Sequence, residues 1–153
     1  MQYIDYTIYI NKLVAIMASL SKEDLEYRHE SNAVSLINLH FVFIPKRRKA
    51  VLVGRIAERL QEIIFELVVE HRWKLIALEV MPDHVHLLLN VKPTDSANGV
   101  MNKVKGRASH HLRLEFPELK KLPTLWTPSY FVGSVGNVST ETVRKYIEGQ
   151  KGK

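Results

Sequence analysis

The side chains best suited to chemistry in this chain are two pairs: His84 and His86, one residue apart, and Tyr146 and Gln150, four apart. On a strand, side chains alternate faces, so the two histidines point the same way with Cα atoms roughly 7 Å apart. Two imidazoles at that spacing can reach one metal ion, while Val85 between them turns into a core. On a helix, Tyr146 and Gln150 share a face. Imidazoles, an amide oxygen and a phenol are the parts required for metal-assisted phosphoryl transfer with a tyrosine nucleophile. Each pair also has a duller reading. His-x-His on a strand often decorates a surface, a helical glutamine is usually solvated, and Tyr146 at helical spacing from Val143 can simply pack with its hydroxyl at the surface. Arg144 and Lys145 favour the chemical reading, because a phenol titrating near about pH 10 is more readily ionised beside positive charge or a metal.

The bulk properties narrow the choice. A chain of 153 residues fits one domain with its own hydrophobic core. Its net charge of +6 points towards a polyanion, with nucleic acid the leading partner. There is no cysteine, so disulfides and thiolate metal sites are excluded, and a metal would be held by His, carboxylate, amide or water. This suits a cytoplasmic protein. Residues 3–20 are moderately apolar but contain Asp5 and Lys12, which disfavours both a signal peptide and a membrane span. Residues 1–33 read as an N-terminal extension without an assignable role, and residues 34–153 as a single domain.

Elements that would position these residues follow from periodicity. Ser35 to Ile44 alternates as a strand and ends at Pro45, before the basic turn Lys46-Arg47-Arg48-Lys49. Leu52, Ile56, Leu60, Ile63, Ile64 and Leu67 recur at helical spacing to about His71. Leu75–Met81 and His84–Val91 read as strands of a hairpin across Pro82-Asp83. A second helix, capped by Asp95 or Ser96, runs to about Phe116 with Val100, Met101, Val104, Ala108 and Leu112 facing inwards. Tyr130–Val135 is a fourth strand, and Ser139 caps a last helix carrying Tyr146 and Gln150. The order predicts an α+β, ferredoxin-like βαββαβ fold with an extra C-terminal helix. The first and third strands would be central, placing His84 and His86 beside His40 and Asn38. Ile37, Leu39, Phe41, Phe43, Val85, Leu87 and Leu89 would line the face covered by helices.

Glu79-Val80-Met81-Pro82-Asp83-His84-Val85-His86-Leu87-Leu88 resembles the HUH motif of the single-tyrosine transposases of the IS200/IS605 family. His40-Phe41-Val42-Phe43 with Pro45-Lys46 is similar to that family's first strand, and Lys105-Gly106-Arg107-Ala108-Ser109 to its second helix. Trp126-Thr127-Pro128-Ser129-Tyr130-Phe131 resembles its fourth strand. Val135-Gly136-Asn137-Val138-Ser139, followed by Tyr146-Ile147-Glu148-Gly149-Gln150, resembles its nucleophile helix. The resemblance covers about residues 36–150, and the N-terminal extension departs from the compact family pattern.

The resemblance implies that His84, His86 and Gln150 hold a divalent metal, Mg²⁺ or Mn²⁺, and that Tyr146 attacks the scissile phosphate of single-stranded DNA. The product would be a covalent 5′-phosphotyrosine at hairpin-bearing element ends. It further implies a homodimer with shared active sites, hinged at Gly133 and Gly136. His40 and Asp83 are candidates for supporting the ligands from behind, although Asp83 also reads as a turn residue. Lys46, Arg47, Arg48, Lys49, Lys103, Lys105, Arg107 and Arg113 are candidates for binding DNA; a solvated face is their alternative. Two rival functions remain open. One is a domesticated relative that processes repetitive hairpin elements. The other is a non-catalytic ferredoxin-like nucleic-acid-binding module, although the sequence contains no aromatic RNP signature.

Overall fold

The computed structural model describes residues 26–135. Most of the expected N-terminal extension, Gly136, and the helix expected to carry Tyr146 and Gln150 lie outside them.

A short hairpin, β1 (Arg28–Glu30) and β2 (Ala33–Ser35), precedes the main sheet, so the boundary expected after residue 33 falls inside a paired strand. The main sheet contains β3 (Ile37–Phe43), β4 (Lys74–Met81), β5 (His84–Val91) and β6 (Phe131–Val135). Its strands are antiparallel in the order β4-β5-β3-β6, with β3 and β5 central as the sequence predicts. Helix α1 (Gly54–His71) links β3 to β4, and α2 (Ala97–Glu115) follows β5. This is the ferredoxin-like α+β arrangement.

One sheet face and the two helices form the core. Phe41, Phe43, Val85, Leu87 and Leu89 meet Leu60, Ile63, Ile64 and Leu67 of α1 and the five inward residues of α2, all buried. Ile37 and Leu39 pack at the margin. Fully burying a side chain such as Leu87 stabilises by roughly 1.5–3 kcal/mol, so this shared apolar face fixes which side of the sheet the helices cover.

Local chemistry sets the ends of the elements. Helix α1 stops where Arg72 turns left-handed and Trp73 N donates to Val68 O at 3.0 Å, releasing the chain into β4. Ser96 caps α2 by accepting from Gly99 N. Asp95 instead ties the loop down, accepting from Trp73 Nε1 and Lys92 N. An irregularity between Leu75 and Ala77 shifts the β4 register, after which Glu79 lies opposite His86 and Met81 opposite His84. The expected loop after α2 contains a short 3₁₀ turn, Pro117–Lys121.

Among the described residues, no helix is long and apolar enough to cross a membrane.

Candidate active site

The sheet face away from the helices carries Asn38, His40 and Val42 of β3 beside His84, His86, Leu88 and Asn90 of β5, as alternation requires. It is not a wet face. Asn38, His40, Val42, His86, Leu88 and Asn90 are all buried. A polar row runs along its upper part: Asn90 Nδ2 donates to Asn38 Oδ1 at 2.8 Å, and Arg28 donates to Asn90 Oδ1 from Nε (3.1 Å) and Nη2 (2.8 Å). The β1–β2 hairpin is thereby pinned to the central strand.

Antiparallel register then assembles the histidines. Val42 pairs with His86 and Leu88 with His40, so His40 and His86 are diagonal neighbours, a separation that long or aromatic side chains can span. Their rings stack with centroids 5.4 Å apart, and His86 Nδ1 lies 3.3 Å from His40 Nε2. The His84 ring stands edge-on to His86 at 5.0 Å. Its Nδ1 lies 2.7 Å from Asp83 Oδ1, and Asp83 Oδ2 accepts from Arg48 Nε at 3.0 Å. Arg48, Asp83, His84, His86 and His40 thus form a continuous line from the surface inwards.

Electrostatics follow from depth. Burial lowers the His40 pKa to about 4, so this imidazole is neutral near pH 7. Partial burial opposes ionisation of Asp83, but hydrogen bonds with His84 and Arg48, and the charge of the Arg48 guanidinium, outweigh it and hold the carboxyl below its ordinary value.

The pair His84–His86 suits a hard or borderline divalent ion. Each ring has its Nδ1 directed at a protein partner, the arrangement in which Nε2 would be the nitrogen offered to an ion. His40 meets the back of His86 instead of standing around a common centre. Accordingly, no group of three His, Cys, Asp or Glu among the described residues is arranged to hold an ion. The described part holds the two expected histidine donors, and Gln150, expected as the third, lies outside it, as does Tyr146.

The basic candidates divide. Arg47 and Lys49 are exposed on the turn after β3, with Lys46 partly covered, and Lys103 is exposed on α2. Arg48 engages Asp83. Lys105 is half-buried, its Nζ donating to Thr127 O (2.6 Å) and Ser129 O (3.3 Å), and burial lowers its pKa. Arg107 pairs with Glu70 of α1, and Arg113 donates to the carbonyls of Leu122 and Pro123. The basic side chains of α2 therefore do not form one strip: helical rotation sets Lys105 on the side of the helix away from Lys103, and neighbouring segments engage three of the four.

Gly133 lies within the β6 ladder, directly opposite His40. A strand-bonded position is a poor hinge. The other expected hinge, Gly136, is outside the described residues.

Sequence reading missed the Arg28–Asn90 anchor and the Arg48–Asp83 pair. The first had a faint signal in the polar residues alternating along β5. The second had none, since it depends on two turns meeting.

Residues 33–150 match the family model described as "Transposase IS200 like". The chain is similar to the ISDra2 transposase TnpA of Deinococcus radiodurans, 33% identical over 132 residues, covering 84% of this chain and 94% of that protein. It is also similar to the transposase of insertion sequence element IS200 from Salmonella typhimurium, 30% identical over 114 residues, covering 72% and 74%. In three dimensions it resembles a crystal structure of a Deinococcus radiodurans protein assigned as a transposase, with TM-score 0.66 and 33% identity over 80% of this chain and 97% of that one. A REP-associated tyrosine transposase bound to a REP hairpin shares the fold, with TM-score 0.55 and 16% identity over 79% and 68%.

Proposed function

This chain belongs to the IS200-like transposase family, enzymes of DNA strand cleavage and transfer, and on that premise we propose that it is a metal-dependent single-stranded DNA transposase acting through a 5′-phosphotyrosine on Tyr146. The observation that carries this reading is the pair His84–His86, side by side on a central strand with each Nδ1 engaged from behind. His84, His86 and Gln150 would hold Mg²⁺ or Mn²⁺, which when bound supplies Lewis-acid polarisation of a non-bridging oxygen of the scissile phosphate.

The rest is the work of the chain. The Tyr146 phenol oxygen attacks phosphorus. The Tyr O–P bond forms as the P–O3′ bond breaks, and the phenolic proton is balanced by protonation of the departing 3′ oxygen. Attack by another strand's 3′-hydroxyl reverses the exchange and frees Tyr146. One phosphate ester replaces another at each step, so no nucleotide cofactor is required. His40 and Asp83 keep the two imidazoles oriented, and the exposed cations Arg47, Lys49 and Lys103, with the partly covered Lys46, meet phosphates of the strand.

We infer hairpin-bearing ends as the substrate, a homodimer with shared sites as the working unit, and the cytoplasm as the compartment. The hairpin held by the fold neighbour supports the first of these. That neighbour's 16% identity, against 33% for the ISDra2 transposase, favours an element's own transposase over a domesticated processing enzyme.

The test is adduct formation on hairpin-bearing single-stranded DNA. The protein is expected to form a denaturant-stable adduct in Mg²⁺ or Mn²⁺ and none in EDTA. Tyr146→Phe is expected to bind the same DNA and form none. An adduct with Tyr146→Phe would overturn the nucleophile assignment, and full-rate cleavage in EDTA would overturn the metal reading.

A further inference from the structure

We propose that Arg48 is a positioning residue of this site: through Asp83 it fixes the His84 imidazole with its proton on Nδ1 and its Nε2 presented for ligation. The inference rests on the reading of His84 as a metal ligand and assigns a role to a side chain outside that ligand set.

The argument begins with the backbone. Arg47 (φ 58°) and Arg48 (φ 51°) are consecutive non-glycine residues in the left-handed region, a conformation that persists only where surroundings impose it. Here they do. Lys46 N donates to Leu125 O at 2.8 Å and Arg48 N to Pro45 O at 2.9 Å, while Lys49 N donates to Lys46 O at 3.3 Å. Leu52 N donates to Pro82 O at 3.0 Å, joining this segment to the turn that bears Asp83. The unfavoured turn aims Arg48 at Asp83, and Nε meets Oδ2 at 3.0 Å.

The carboxylate thus has a guanidinium on one oxygen and the His84 ring on the other, at 2.7 Å. Held at both ends, it cannot turn about its own axis without losing a bond. The partner of one ring nitrogen decides which nitrogen carries the proton and which can ligate. Arg48 consequently acts on His84 without touching it. The pair is about one-third exposed, so its contribution to overall stability is small. Its effect lies in orientation. A DNA phosphate approaching Arg48 would have to compete with Asp83, whereas Arg47 and Lys49 are exposed on the same turn.

The experiment is a double-mutant cycle on the full chain with Arg48→Ala, Asp83→Asn and both together. Mn²⁺ affinity, the His84 tautomer by nitrogen NMR of metal-free protein, and affinity for hairpin-bearing single-stranded DNA in EDTA at several salt concentrations are measured. Arg48→Ala is expected to move His84 towards the Nε2-protonated tautomer and to weaken Mn²⁺ binding about 3- to 10-fold, at or below the lower end of losses seen for supporting partners. DNA affinity and its salt dependence are expected to stay unchanged. The double variant is expected to bind Mn²⁺ no more weakly than Asp83→Asn alone, since both changes cut one line. Arg48→Gln is read in the same way should the alanine variant fail to fold. An unchanged tautomer with weaker DNA binding and a shallower salt slope would overturn the proposal and make Arg48 a phosphate contact. Additive losses of Mn²⁺ affinity would also overturn it. His84→Ala separates this failure from failure of the site itself: wild-type Mn²⁺ binding in that variant would reject the metal ligand, whatever Arg48 does.

Discussion

Replacing His40 by glutamine should flatten the acid limb of the protein's stability. His40 is fully buried, and burial brings its pKa to about 4 from an ordinary 6.5. In the unfolded chain the imidazole takes up a proton as pH falls through 6.5; in the folded chain it resists until about 4. The unfolded state therefore binds more protons in that window, and stability drops as pH falls through it. The contribution is intact above 6.5 and largely gone by about 4. Between pH 7.5 and 4.5, linkage gives a loss of about 2.5 kcal/mol from this group. Glutamine is the informative replacement because its terminal amide falls near the position of Nε2, which lies 3.3 Å from His86 Nδ1. It can accept from that nitrogen and cannot titrate. Urea unfolding of metal-free protein at a series of pH values measures the difference. Wild type is expected to lose about 2.5 kcal/mol more than His40→Gln across the window. Parallel profiles would refute the reasoning, showing that burial does not keep His40 neutral.

Further outcomes follow from the same geometry. His86→Ala should lower stability by about 1–3 kcal/mol because it empties a buried site and removes a ring contact of His40, whereas His84→Ala, partly exposed, should cost much less; both should abolish Mn²⁺ binding by calorimetry. Lys105→Met should destabilise by about 1–3 kcal/mol in urea unfolding, by removing donors from the Thr127 and Ser129 carbonyls, and leave the salt slope of DNA binding unchanged; the reverse pattern would make Lys105 a phosphate contact. Mixing Tyr146→Phe with His84→Ala, each inactive alone, should restore cleavage in heterodimers if subunits share sites. No recovery in a mixture shown to contain heterodimers would reject sharing.

Alternation along residues 37–43 and 84–91 and helical spacing in residues 54–71 and 97–115 were legible because each reflects a local period against one apolar core. The same alternation put His84 and His86 on one face without any knowledge of partners. Basic character was legible as a sum but not as a surface. Whether Lys105, Arg107 and Arg113 are available to DNA depends on Glu70 and on the 122–129 segment, which sequence spacing does not bring near them.

What the sequence by itself determined is the order of elements, the core face of each, and the motif residues whose family match now extends over residues 33–150. The strand order had already put His40 beside the histidine pair; tertiary structure alone decided that its ring stacks diagonally on His86, across 46 residues of chain, and that both are buried. It also decided that Arg48 reaches Asp83 and that Gly133 is a paired strand residue opposite His40. The division has one physical cause. Periodicity is a property of neighbouring residues, whereas diagonal pairing depends on the register between strands, and the meeting of two turns depends on backbone hydrogen bonds such as Leu52 N to Pro82 O that form only when the sheet has closed.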